Sequence, residues 1–230
     1  MNRILLLLFI LISSRSYAQF VRGIHTNVKI NGRVSSITIK DTYPRNNGAV
    51  DTVIFKQIFN TKGELVSEDE SRVYDRRRTD TAALSKEMYR TWHTSYTYHY
   101  NSDGRLLKIT WLRDHNPGTI HFNKQGYPIK EDYIGPDNYW IQIKKNYDVN
   151  GNLVRESTFY HDYFAFEAIY KYDQRNLEVE TDQKGIDWHN VMYYFEYQSF
   201  DDKGNWTMVI RLTPDHKPGG ISIRDIKYAD

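Results

Sequence analysis

Trp92, Tyr96, Tyr98, Trp111, Trp140 and Trp188 are the residues of this sequence with the clearest capacity to hold a ligand. Exposed aromatic rings stack on the apolar faces of sugars, while neighbouring Asp, Asn and Arg side chains bond the hydroxyls. The chain holds 19 tyrosines and 5 tryptophans within an aromatic share of 15%, a surplus that invites this reading. β-Sheets also use aromatics simply for cross-strand packing. That plainer account carries the greater weight, because the repeat described below itself calls for an aromatic at each turn.

Other chemistries have less to work with. Of the 8 histidines, His93, His99, His115 and His121 fall close together in sequence. His93 and His99 share a strand face, but the distance between them is roughly 20 Å along a strand, too far to share one ion. No metal and no cofactor is expected. Catalysis would need a nucleophile beside a base, or two convergent carboxylates. Glu156, Glu167 and Glu196 sit mid-strand and are the acidic candidates, yet pairing with Arg155 and Lys171 explains them equally well. The absence of cysteine removes disulfides, thiol nucleophiles and thiolate metal sites together.

The element that positions these side chains is a repeated turn. Tyr147-Asp148-Val149-Asn150-Gly151-Asn152-Leu153 is its clearest copy. Variants begin at Phe59, Tyr100, Phe122 and Phe200, with turn glycines at Gly63, Gly104, Gly126 and Gly204. A degenerate copy at Tyr172 has Asn176 in the glycine position. The Asp or Asn after the aromatic can bond backbone N–H groups further on and so start a turn. The glycine suits a left-handed position at a bulged hairpin turn, and Asn is the next best residue there. Gly126, Gly151 and Asn176 are spaced 25 residues apart, which fits two strands and two turns per repeat. The 41-residue interval from Gly63 to Gly104 suggests a decayed copy near Tyr74-Asp75-Arg76-Arg77-Arg78.

The run Tyr-Asp-x-x-Gly-Asn-Leu at 147–153 resembles the YD repeat of RHS-type secreted bacterial proteins, with looser matches at 200–206 and 100–106. Large members of that family coil their repeats into a β-sheet shell around a toxin. This chain resembles a short form without the toxin domain, with too few repeats for a shell. What the resemblance implies is a β-hairpin repeat architecture and an extracytoplasmic setting; it implies no catalytic residue.

Residues 1–18 read as a secretion signal, with Arg3, an apolar run from Ile4 to Ile12, and small residues at Ser16-Tyr17-Ala18. The apolar run is too short to span a bilayer as a helix. Residues 19–230 then form a single β-repeat domain. Cleavage before Gln19 removes Arg3 and Arg15 from 31 basic residues and leaves as many as the 29 acidic ones, so nucleic acid is not an expected partner. No lipidated cysteine can anchor the chain, which points to the periplasm or the cell exterior.

Elsewhere, Asn31-Gly32 reads as a hairpin turn between strands, and Asn116-Pro117-Gly118 as another turn. Residues 75–88 read as a long connection with one helical turn. Phe164, Phe166, Ala168, Tyr170 and Tyr172 alternate on one strand face, as do Trp206, Met208, Ile210 and Leu212. Roughly 12–14 strands are expected, too many for a flat sheet. The predicted fold is an all-β antiparallel meander forming a curved sheet or half-open barrel. A lipid-spanning barrel is disfavoured because charges fall on both faces of several strands. The expected function is non-catalytic binding or scaffolding in a bacterial envelope, with a polysaccharide or envelope protein as partner. The alternative is a secreted hydrolase of glycans or lipids with an acidic cleft.

Overall fold

A computed structural model of the chain describes residues 30–44, 50–74, 88–135, 138–186 and 190–229. Its strands are β1 (Val34–Pro44), β2 (Val50–Phe59), β3 (Leu65–Tyr74), β4 (Met88–Tyr100), β5 (Leu106–Arg113), β6 (Asn116–Phe122) and β7 (Pro128–Ile134). There follow β8 (Trp140–Tyr147), β9 (Leu153–Tyr160), β10 (Tyr163–Tyr172), β11 (Glu178–Gly185), β12 (Val191–Phe200), β13 (Trp206–Leu212) and β14 (Pro218–Tyr228). Each strand pairs antiparallel with the next. β14 then returns to β1, from Val34↔Tyr228 to Thr42↔Ile221, so the meander is a closed barrel. Closure goes beyond the half-open form expected from the sequence, and among the described strands it leaves no unpaired edge.

One turn builds six of the connections. In each, Oδ1 of the leading Asn or Asp accepts the backbone N–H groups two and four residues on, as Asp148 does from Asn150 and Asn152 at 2.9 and 2.8 Å. The same pair of bonds forms at Asn60, Asn101, Asn123, Asp173 and Asp201. The fourth residue has positive φ throughout, +84° at Gly151 and +60° at Asn176. The motif aromatic ties one repeat to the one before it. Tyr147 Oη donates to the carbonyl of Pro128 and Tyr172 Oη to that of Leu153, each at 2.8 Å. Because strands alternate direction, all six turns lie on one rim.

Asp148 shows what the acidic versions add. Burial pushes its carboxyl up, but the backbone and side-chain amides of Asn152 and the N–H of Asn150 outweigh that and hold it below the ordinary value. A folded pKa below the unfolded one stabilises above the unfolded value, near 4, and that gain is lost as pH falls through the folded one. Asp148→Asn keeps Oδ1 but cannot accept the Asn152 amide at the second atom, where Asp148 does at 3.0 Å. Thermal melts should show the variant about 1–3 °C below wild type at pH 7. The gap should close as the pH is lowered through the acid range.

Register assigns the two faces. On β4 the inward set is Trp92, Thr94, Tyr96 and Tyr98, and His93 and His99 point outward. Inward residues near the turn rim form the core, with Ile37, Ile39, Phe59, Leu65, Tyr96, Ile109, Trp111 and Ile120 in one cluster. Leu177, Phe195, Trp206 and Val209 form a second. The outward wall carries Lys40, Asp69, Lys144, Glu167, Asp182 and Glu196 midway along its strands.

Bulges correct the simple alternation. A register shift between Phe164 and Phe166 turns Phe164 outward against Phe159, off the face shared by Phe166, Ala168, Tyr170 and Tyr172. Shifts at Tyr197–Phe200 place Trp206 with Val209 rather than with Met208 and Ile210. A bulge adds one residue to one strand, and hydrophobicity alone does not locate it.

Three local expectations also change. Asn31-Gly32 joins no two strands among the described residues. Asn31 instead docks on a repeat turn, its N–H donating to Asn205 Oδ1 at 2.6 Å and its Nδ2 to the carbonyl of Lys203 at 3.1 Å. Asn116-Pro117-Gly118 is strand, and the turn is Asp114-His115, with Asp114 at φ +53°. Gly118 lies directly opposite Trp111, whose indole occupies the space a Cβ would need. Between Gly63 and Gly104 only β3 and β4 are described, with 10 and 13 residues. The decayed copy and the helical turn placed at 75–88 lie almost wholly outside the described residues.

Candidate binding recess at the second rim

The rim opposite the repeat turns differs in chemistry. Toward the turns the inward side chains are sealed: Leu65, Leu153 and Trp206 are 1% exposed or less. Toward the second rim the inward side chains are polar, aromatic and partly open to solvent. They come from β1–β5 and β12–β14, which closure brings together on one side of the barrel.

On β3, Glu68, Glu70 and Arg72 alternate onto the inner face. Glu70 braces two guanidiniums, accepting Arg72 Nε at 2.5 Å and Arg113 Nη2 from β5. Both guanidiniums lie over the Trp92 ring, 5.2 and 5.3 Å from its centroid. The carboxylate and the indole together hold two arginines side by side.

A second guanidinium stack lies on β13, separated from them along the sheet by β14, β1 and β2. Arg211 of β13 lies 4.8 Å from the Tyr43 ring centroid and 4.5 Å from that of Tyr193. Its Nη2 donates to the carbonyl of Gly219 at 3.0 Å. Burial pushes the Tyr43 hydroxyl well up, with Asp41 adding to the rise and Arg211 and Arg72 opposing it. Tyr43 therefore feels both arginine groups. Deeper in, Arg224 sits 3.4 Å from the Trp206 ring centroid. Burial pulls its guanidinium down, and Tyr197 and Asp41 push it back.

The six aromatics singled out in sequence do not form one strip. Tyr96 and Trp111 are directly paired and buried, at 8% and 5% exposure. Tyr98 faces inward beside that core. Trp92 is half-buried under its two arginines. Trp140 is on the outer wall, opposite Ile134, and Trp188 lies outside the described residues. The acidic candidates separate too. Glu167 faces outward with Arg155 at 2.5 Å, Glu156 faces inward with Lys145 at 3.3 Å, and Glu196 is exposed. Among the described residues no three His, Cys, Asp or Glu gather as metal ligands.

Sequence reasoning missed Tyr43, Glu70, Arg72, Arg113, Tyr193 and Arg211. The period-2 pattern of Glu68, Glu70 and Arg72 was visible, but a charged face reads as the wet outer one. Only closure turns it into a lining.

No protein-family model matches the sequence, and no curated protein matches it. Among solved structures, a porin-like protein from Bacteroides uniformis is similar, with a TM-score of 0.57 at 9% identity over 86% of this chain and 99% of that one. The TcdB2–TccC3 complex aligns over 74% of this chain and 12% of that one, at 11% identity and a TM-score of 0.24, too low to bear on the fold. What the first likeness shows is fold alone, and it agrees with the topology: the chain is an all-β antiparallel meander closed into a barrel.

Proposed function

We propose that the protein is a non-catalytic, water-soluble barrel of a bacterial envelope, a short YD-repeat-like protein exported by its N-terminal signal, whose second-rim recess binds a polysaccharide. The observation that carries this reading is the contrast between the two faces of the sheet. The outer wall bears Lys40, Asp69, Lys144, Glu167, Asp182 and Glu196 midway along its strands. Facing lipid, a midplane Lys or Arg costs about 2–4 kcal/mol, so this wall suits water. Among the described residues no helix is long and apolar enough to cross a membrane, which is silent about strands.

The inner face supports the binding half of the proposal. Trp92, Tyr43 and Tyr193 stand there with three guanidiniums, a mixture suited to sugar rings and their polar substituents. The hydrolase alternative finds less support. Glu70 is held by two arginines, Glu156 by Lys145, and Glu68 accepts Gln57 Nε2 at 2.7 Å. Carboxylates so engaged are poorly placed to exchange protons with a substrate.

The test is binding of the purified protein to an array of bacterial and host glycans, followed by tryptophan fluorescence titration. A saturable hit that changes the emission is the expected result, and Trp92→Leu should remove most of that change. A blank array from a folded sample transfers the proposal to an envelope-protein partner.

A further inference from the structure

The outer wall is not uniform in charge. On β9–β12 each outward cation has a carboxylate: Arg155 meets Glu167 at 2.5 Å, Lys171 meets Glu180 at 2.6 Å and Lys184 meets Asp182 at 3.0 Å. Glu196 adds a fourth carboxylate to that side. On β4–β8 the balance reverses. Only β7 carries carboxylates there, Glu131, which is buried and faces inward, and Asp132.

Register lines up the cations of this second side. His99 pairs with Lys108, Lys108 with His121, His121 with Lys130 and Lys130 with Lys144. Five neighbouring strands thus place one basic side chain each on a single row across the sheet. At about 4.8 Å per strand the row is roughly 19 Å long. His121 Nε2 and Lys130 Nζ share Asp132 Oδ2 at 3.3 and 2.9 Å. Lys108 and Lys144 are exposed, and among the described residues neither has a carboxylate partner. With one anion beside them, the potentials of these groups add.

Shape narrows the partner. The row runs across the strands and so around the barrel, over four of the fourteen intervals between neighbouring strands. A flat membrane surface touches a curved wall along a line and reaches few of these groups at once, whereas a flexible linear anion follows the curve. No aromatic side chain stands on the row for a nucleobase to stack upon. A parallel row of hydroxyls lies beside it. Thr97, Thr110 and Thr119 are cross-strand neighbours, two residues along from His99, Lys108 and His121. Such groups exchange hydrogen bonds with sugar hydroxyls. Bulges bring Leu107 and Ile129, 44% and 39% exposed, out beside Lys108 and Lys130, as apolar ground for a sugar ring.

We propose that the row from His99 to Lys144 is a docking surface for an acidic polysaccharide, a linear polymer containing uronic acid, laid around the outside of the barrel. The proposal goes beyond the recess described above and stands on a different face of the sheet. Lys108, Lys130 and Lys144 meet the sugar carboxylates, and the threonine row meets the hydroxyls.

The experiment is calorimetric titration of the purified full chain with an oligomer of galacturonic acid and with the neutral galactose oligomer of equal length. Oligothymidylate and polyglutamate with the same number of charges serve as the other anions. Wild-type protein should bind the uronate tightest, and its affinity should fall as sodium chloride is raised. Lys108→Gln combined with Lys144→Gln should weaken uronate binding about tenfold. Both positions are exposed and break no ion pair, so the double variant should melt within about 2 °C of wild type. Lys171→Gln, on the acidic side, and Trp92→Leu, in the recess, should leave uronate affinity unchanged. Equal binding of the neutral oligomer, or uronate binding that survives the double lysine variant, overturns the docking surface and leaves the recess reading standing. Loss of uronate binding in Trp92→Leu alone moves the ligand to the recess and also overturns it. Tighter binding of oligothymidylate or polyglutamate replaces the saccharide with that class of polymer. Binding of none of the four removes the surface altogether.

Discussion

Gly118→Val is expected to lower the melting temperature by about 6–12 °C, as a cost of about 3 kcal/mol would in a chain of this size. The position has no unusual φ, so the effect does not come from backbone strain. It comes from Trp111, which is 5% exposed and lies across the glycine from the neighbouring strand. That indole is held in place on its other side by Tyr133, at 5.4 Å between ring centroids. Its cross-strand partner Tyr96 is also buried, which leaves the ring no room to retreat. Differential scanning calorimetry of Gly118→Val alone and with Trp111→Leu checks the cause. The valine should cost much less once the indole is gone. An unchanged cost in the double variant would place the damage elsewhere on β6. By contrast, a Cβ at Gly104 meets nothing within 4 Å, so Gly104→Ala should cost only the left-handed strain, about 1 kcal/mol.

The second large effect is expected at Arg224. Its side chain is 4% exposed and stacked on Trp206, and the fully buried Asp41, diagonally across on β1, attracts its charge. Removing one partner of a buried charge pair costs about 3–5 kcal/mol, because the other charge stays in place without its counter-ion. Arg224→Ala should therefore melt about 10 °C or more below wild type. Adding Asp41→Ala should recover part of the loss rather than deepen it. Simple additivity of the two single costs would show that Asp41 and Arg224 act independently. Arg211 provides the opposite case on the next strand. Among the described residues no carboxylate pairs with it, so its removal should cost less than that of Arg224.

The distinction between these residues could not be drawn from sequence. Arg211 and Arg224 are both single basic residues in β-rich runs, and nothing around either marks its partner. Asp41 and Arg224 are joined only because the first strand pairs with the last. Gly118 had a plausible local explanation in Asn116-Pro117-Gly118, and the turn actually formed one step earlier, at Asp114-His115. There the two-residue loop uses Asp114 at φ +53°, a non-glycine in a left-handed position, which sequence rules rank low.

What the sequence determined by itself was the set of interactions closed over short separations. The Asn or Asp that opens each repeat turn, the glycine or Asn176 at its left-handed position, and the aromatic before it all act within a few residues. Their spacing fixed hairpins of nearly constant length and hence an antiparallel meander. The alternation on β4, with Trp92, Tyr96 and Tyr98 opposite His93 and His99, followed from the two-residue period of a strand. Tertiary structure decided which face became the inside, where bulges reversed it at Phe164 and Trp206, and whether the sheet closed. Those outcomes depend on pairing between β1 and β14 and on packing across the barrel, where the partners are distant in sequence. The cluster of arginines and aromatics at the second rim belongs to that second group. Arg211, Tyr43, Tyr193, Arg72 and Trp92 come from five strands, and only closure of the barrel gives them a common side.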